Sequence, residues 1–319
     1  MRELTYAAAV AEALREEMER DEKVFRIGED IGGVREADDL FAEFQKHRVW
    51  QTPISESGFT GLAVGAAAKG LRPVVDIMYC DFVSVAMDQI CNQAAKIALM
   101  SGGSVKVPLV IKTPAGSGTR EGGHHSGSHE AWFMHTPGLK VVMPATPADA
   151  KGLMKSAIRD DGPVIYIQHR LLHPTTGPVP EGDHLVPLGE AKVQRPGTQV
   201  TVAAASYATI KCLAAARELE GEIDVEVLDL RSLVPLDLKA LLASVGKTGR
   251  LLVVHDAPER AGAGAEIVRR VAQHGWELLQ APPRVLGGRN IAMPYSPPLE
   301  DWCIPQTQDI VAAIREMVA

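Results

Sequence analysis

Short runs of β-branched residues alternate with stretches of helical spacing along the whole chain, and this alternation restricts the fold more than any other feature. Residues 24–30, 74–78, 107–112, 139–143 and 164–168 read as strands. Residues 6–21 carry Ala9, Val10, Ala13, Leu14 and Met18 at helical spacing. Residues 88–98 and 147–159 read as further helices, the last with Asp149 in its first turn. Residues 171–196 are rich in Pro, Gly and Thr and read as an extended connection. A second series follows, with strands at 199–204, 225–230, 250–255 and 283–287 and helices at 208–219, 238–244, 263–275 and 307–317. The alternation predicts an α/β chain of two doubly wound domains with mainly parallel sheets. The expected domains are residues 1–175 and 197–319, joined by a linker over 176–196.

The totals narrow the function classes. The chain has 319 residues, is 46% hydrophobic and 23% charged, and carries a net charge of -7. That balance, without a basic run, argues against a nucleic-acid binder. Lys140, Lys151 and Lys155 are expected as scattered surface charges. No apolar run reaches membrane-span length and the first residues lack signal-peptide features, so a cytoplasmic protein is expected, with no membrane partner. Cys80, Cys91, Cys212 and Cys303 form no CxxC, which favours reduced thiols over disulfides or zinc.

Two segments draw attention as sites. The run TPISESGF at residues 52–59 places Glu56 in an apolar, glycine-flanked turn. Residues 61–70 follow, nearly uncharged and built of small residues, and read as a buried helix that neighbours can approach closely. Glu56 there is either a catalytic carboxylate or a helix-terminal charge behind a Ser55 cap. Residues 113–128 form a loop with five glycines and the adjacent pair His124 and His125. Such a loop beyond a strand lies where open α/β sheets bind ligands, so His125 is an acid–base or orienting candidate, or a solvated loop residue. A metal site of His124, His125 and His129 matches no standard zinc spacing. The segment AGAGAE at 261–266 lacks a full GxGxxG and reads as tight helix–sheet packing. Phe82 and Tyr79, beyond a strand, suit either core packing or stacking on a planar ligand.

Several segments together resemble one family. TPISE at 52–56, GLRPV at 70–74, DQI at 88–90, MSGG at 100–103, HS at 125–126, PGLKVV at 137–142, DAKGL at 149–153 and AIRDD at 157–161 fall in that family's order and spacing. The chain resembles the β subunit of the thiamine-diphosphate-dependent E1 component of 2-oxo acid dehydrogenase complexes. The resemblance implies a pyrimidine-binding domain followed by a transketolase C-terminal-like domain. It implies that Glu56 bonds N1′ of the cofactor's aminopyrimidine, with the raised pKa that proton exchange needs. Phe82 would pack on that ring, and Ile54 would line its pocket. His125 matches the family's active-site histidine, which serves the substrate or the incoming lipoyl group. Glu29 matches an acid proposed to relay protons between paired sites, although a further relay acid falls on Val85 here. His124 replaces a common Gln. Leu109, Ala157, Ile158 and Asp160, completed by the carbonyl of Gly162, match positions that hold a monovalent cation such as K⁺ in some members.

The departures matter equally. The family's Mg²⁺ and diphosphate grip, GDG followed by Asn-Asn, is missing, and Gly182, Asp183 and His184 are its nearest approach. The resemblance therefore implies half a site, completed by an α subunit that holds most of the Mg²⁺ in an α₂β₂ heterotetramer. The partners implied are that subunit, a lipoyl-bearing E2 acyltransferase and a 2-oxo acid. Competing readings are an acetoin-cleaving β subunit, the C-terminal half of a split transketolase, and a non-catalytic module using the histidine loop.

Overall fold

The computed structural model describes residues 1–31 and 40–319. The chain divides into two compact units. The first comprises Met1–Ala115 and Trp132–Leu188, the second Gly116–Ala131 and Gly189–Ala319.

In the first unit, parallel strands are joined in the order Val49–Gln51, Val24–Gly28, Arg72–Asp76, Val110–Ala115, Val164–His169 and Lys140–Val142. Their side chains are buried nearly throughout, as expected of strands covered on both faces. Gly28 pairs with Asp76, and Asp76 with Lys112. A Cβ on Gly28 would stand 2.4 Å from the Asp76 carbonyl oxygen, so this contact requires glycine.

The helix Tyr6–Arg20 starts at Thr5, whose hydroxyl accepts from the Ala8 amide at 3.1 Å. It packs against Pro147–Arg159, which begins with a Thr146 cap and a proline in its first turn. Between these helices the surface expectation fails for Lys151 and Lys155, though not for the partly exposed Lys140. Lys151 is fully buried and donates to Glu12 at 2.6 Å and Glu16 at 2.7 Å. Lys155 reaches Glu16 and Asp183, both at 2.7 Å, and Arg159 bonds the fully buried Glu17 at 2.6 Å. Lys140 pairs with Asp160. The acids sit mainly on the first helix, far away in sequence, so no local pattern announced their partners. A buried ion pair broken by removing one member costs about 3–5 kcal/mol.

The 88–98 stretch is not one regular helix: Asp88–Ala94 is a π-helical segment, and Ile97–Met100 a short α-helix. Within 176–196, expected as a linker, Thr176–Val179 pairs antiparallel with Arg2–Thr5, and Lys192–Arg195 joins the second unit's sheet. That sheet runs Arg284–Gly288, Leu251–Pro258, Val200–Ala204, Val225–Asp229 and Lys192–Arg195, all parallel except the last. Helices Tyr207–Glu218 and Thr307–Val318 supply a core in which Val200, Val202, Cys212, Val227, Ile310 and Ile314 are buried. All four cysteines are free. Among the described residues no helix is long and apolar enough to cross a membrane.

Candidate functional site

Glu56 opens the helix Glu56–Ala68 and is buried, at 6% exposure. The capping alternative does not hold. Ser55 occupies the N-cap position but makes no side-chain cap bond, and its hydroxyl donates instead to the Pro53 carbonyl at 3.1 Å. Two residues before the buried carboxylate, Ile54 is 80% exposed. The helix is not buried all round: Phe59, Thr60, Ala63, Val64 and Ala67 face inward, while Gly58, Leu62 and Gly65 are exposed. A large apolar residue beside a buried acid, and a glycine-bearing helix face, leave an uncovered surface around Glu56.

Glu29 follows directly on the Val24–Gly28 strand and is 5% exposed. Burial pushes its carboxyl up, and the Glu56 charge pushes it further; a hydrogen bond from the Met78 amide opposes, and Asp30 adds a smaller upward push. Its Oε2 has no hydrogen-bond partner among the described residues. The two acids therefore act on each other electrostatically at the carboxyl end of the sheet, where α/β folds place their chemistry. Nearby in sequence to Met78, Tyr79 and Phe82 stack edge-on at 5.4 Å, and the Arg170 guanidinium lies 4.6 Å over the Tyr79 ring. Phe82 belongs to the 3₁₀ segment Cys80–Ala86, which packs against the Glu56–Ala68 helix. It is half-buried, so part of its ring remains accessible. Val85 is 56% exposed on the same segment and offers no acid.

Sequence reasoning missed a charged trio under this edge. Asp76 accepts from Arg26 Nε at 2.6 Å and from Lys112 Nζ. Burial pushes the Asp76 carboxyl up, but the Arg26 and Lys112 charges and hydrogen bonds outweigh it and hold it well below the usual carboxylate range. The available signal was the presence of these three charges inside otherwise apolar strands.

The histidine loop belongs to the second unit. Its base closes through Gly116 N to Gly127 O at 3.0 Å and Ser117 Oγ to Ser126 O at 3.4 Å. A turn inside it is fixed by His125 N donating to Gly122 O at 3.3 Å. His124 is exposed, while His125 and His129 are half-buried. Among the described residues no group of three or more His, Cys, Asp or Glu is arranged to hold a metal ion. Thus Glu29, Ile54, Glu56 and Phe82 lie in one unit and His125 in the other. Near 261–266, the close packing falls on a histidine: a Cβ on Gly262 or Gly264 would come within 2.7 or 2.8 Å of the His255 ring.

At the cation positions the carbonyls of Leu109, Ala157, Ile158 and Asp160 already accept hydrogen bonds. Arg72 Nη1 donates to the carbonyls of Ile158 at 2.9 Å and Asp160 at 3.0 Å. The Ala157 carbonyl accepts from the Asp160 amide at 3.3 Å, and the Leu109 carbonyl from the Val164 amide at 2.8 Å. The Asp160 carboxylate takes the Gly162 amide at 2.7 Å and Lys140. Asp183, in the nearest approach to GDG, is held by Arg159 and Lys155, whose hydrogen bonds keep its carboxyl far below the usual range.

Comparison with known proteins divides the chain between residues 175 and 189, so the first family model spans the histidine loop as well. The model of the transketolase pyrimidine-binding domain matches residues 2–175, and that of the transketolase C-terminal domain matches 189–310. The chain is 41% identical over 320 residues to the pyruvate dehydrogenase E1 component subunit beta of Rickettsia conorii, covering 99% of this chain and 98% of that protein. It is 42% identical over 329 residues to the acetoin:2,6-dichlorophenolindophenol oxidoreductase subunit beta of Cupriavidus necator, covering 99% and 97%. A solved split-gene transketolase, described as an inactive beta4 tetramer, superposes with a TM-score of 0.83 at 23% identity, covering 99% of this chain and 98% of that one, and shares the fold. The fold is the transketolase-like pair of α/β domains with mostly parallel sheets, and the chain belongs to the family of E1 β subunits of thiamine-diphosphate-dependent 2-oxo acid dehydrogenases.

Proposed function

We propose that this chain forms the pyrimidine-holding half of a lipoamide-acylating 2-oxo acid decarboxylase, active with an α subunit. The observation that carries the reading is the buried Glu56 carboxylate beside a surface-exposed Ile54 and a second buried acid, Glu29, whose pKa is raised. An isolated buried carboxylate pair is costly. It suits a ring nitrogen that exchanges a proton, and the unpartnered Glu29 oxygen supports the fit.

Thiamine diphosphate, when bound, supplies the electron sink that lets a 2-oxo acid lose CO₂. Glu56 would bond N1′ of its aminopyrimidine and carry the proton that sets that ring's tautomer. Glu29, favoured in its protonated form by burial and by the Glu56 charge, would keep a second proton within the same acidic pair. The accessible part of Phe82 would take the ring by stacking, and Ile54 would exclude water once a partner covers it. His125 would orient the substrate or the lipoyl group and hold a proton there. Mg²⁺ would be held by the α subunit, since Asp183 is committed to Arg159 and Lys155. A monovalent cation at 157–162 would have to share its carbonyls with Arg72.

The assembly proposed is an α₂β₂ heterotetramer serving a lipoyl-bearing E2. The test is co-purification with an α subunit that carries GDG and Asn-Asn, followed by a panel of 2-oxo acids. Decarboxylation only by the pair is expected; full activity of this chain alone would sink the half-site reading. Acetoin cleavage is a second reading, supported by the equally close Cupriavidus necator relative, and acetoin belongs in the same panel.

A further inference from the structure

We infer that Arg120 and Glu300 are positioning residues that fasten the histidine loop and set the place of His125. The inference rests on the reading that His125 serves the reaction. Neither residue drew attention in the sequence, because they lie far apart in the chain.

Glu300 is fully buried, on the short helix Pro297–Cys303. Its two oxygens collect the loop: Oε1 accepts from the Gly118 amide at 2.7 Å, and Oε2 from the Arg120 amide at 3.2 Å and Arg120 Nη1 at 2.9 Å. Arg120 also donates to the Pro297 carbonyl at 3.0 Å and reaches both oxygens of Asp301, at 2.8 and 3.1 Å. A buried carboxylate that accepts two amides and a guanidinium is fully used, and none of those bonds forms unless the loop lies here.

The backbone agrees. Arg120 has φ +63, a left-handed conformation that side chains other than glycine rarely adopt. A glycine-rich loop has many lower-strain alternatives, so this one persists because its side chain and amide are both held. Two residues on, Gly122 has φ +71, and a Cβ there would come within 2.4 Å of the Tyr295 ring. Gly123 lies near Ala292 and Met293. Residues 118–123 thus rest on 292–301, and the Gly122 carbonyl holds the His125 amide. Arg120 and Glu300 therefore act on His125 through one rigid turn.

Beyond the histidines the chain carries a second buried acid. Glu130, 2% exposed, faces His255, and burial pushes its carboxyl up while the His255 charge pulls it down. Glu130 Oε2 and His255 Nε2 have no hydrogen-bond partner among the described residues.

The test uses the assembled α and β enzyme carrying Glu300→Gln or Arg120→Gly; the second keeps the left-handed backbone accessible while deleting the clamp. Amides of 116–129 should exchange hydrogen at least about tenfold faster in both variants. Turnover should fall by as much as about 100-fold, the scale of a small misplacement of an active-site group, with KM for the 2-oxo acid nearly unchanged. Arg120→Lys, which keeps the charge but loses the bidentate contact, should recover part of the loss. Unchanged loop exchange in both variants, or faster exchange with full turnover, overturns the inference. His125→Ala, measured in parallel, tests the underlying reading: its full activity would remove the role given to His125, whereas exchange reports on the clamp itself.

Discussion

Arg72 places one guanidinium nitrogen 3.0 Å from the carbonyl oxygen of Asp160 and its other nitrogen 2.7 Å from the Asp161 carboxylate. One side chain from the start of a strand thus holds the turn that ends the Pro147–Arg159 helix, where the last carbonyls lack intrahelical partners. Arg72→Ala should cost about 1–3 kcal/mol through those unsatisfied acceptors, read as a lower midpoint in urea or heat. Because the native guanidinium already supplies positive charge, exchanging K⁺ for choline at constant ionic strength should leave the wild-type midpoint unchanged. In Arg72→Ala, K⁺ should restore part of the loss; a K⁺ effect confined to the wild type contradicts this account.

Glu29 gives a pH signature. Its pKa is raised in the folded chain by burial and by Glu56, so the folded state binds more protons than the unfolded one above the ordinary carboxylate range. Stability then falls as pH rises from that range to the raised value. Glu29→Gln deletes this slope. The melting temperature of the variant, relative to wild type, should therefore climb as pH rises above the ordinary carboxylate range. A difference that stays flat, or shrinks with rising pH, rules out the electrostatic strain described.

Asp76 has the opposite sign. Its folded pKa is depressed, so its contribution is present above the ordinary Asp value and is lost as pH falls toward the folded one. Asp76→Asn leaves Arg26 and Lys112 buried without their shared anion. The expected cost is about 3–5 kcal/mol near neutral pH, shrinking in acid, by denaturant titration. A neutral substitution would mean that the trio relaxes to water.

Glu56→Gln should leave the assembly with an α subunit intact and reduce turnover by about 10²–10⁴-fold, the range of a lost acid–base group. Steady-state kinetics and size-exclusion chromatography on the same preparation make the check. Near-normal turnover would return Glu56 to a structural role.

Much of the fold was legible because period and burial agree. Pro147–Arg159 and Ala263–Gly275 have the bounds that their apolar spacing predicts, with a proline or a glycine marking the start. Strands buried on both faces read as apolar runs, and Val164–His169 is one. What stayed hidden depends on distant partners. Lys151 carries no local mark of burial, since its neutralising acids, Glu12 and Glu16, come from the opening helix. The Arg2–Thr5 strand was missed because its sheet partner among the described residues is Thr176–Val179, inside a stretch with linker composition. Of the candidate site residues, Glu56 and His125 could be picked out from their neighbours in sequence. Glu300 could not: its meaning lies in a loop fastened to it from more than a hundred residues away.

The histidine loop leaves the first unit's chain after Ala115 and returns at Trp132, yet it is fastened to the second unit. A cut between residues 188 and 189 therefore separates no complete module. The amino-terminal fragment would keep the loop without its dock, and the carboxy-terminal fragment would keep Glu300 without the segment it holds. Recombination that exchanges second units between relatives would join a loop from one parent to a dock from the other. Inheritance of the histidine's position is thus tied to two stretches of gene at once, 116–131 and 289–303, and swapping either alone should disturb it.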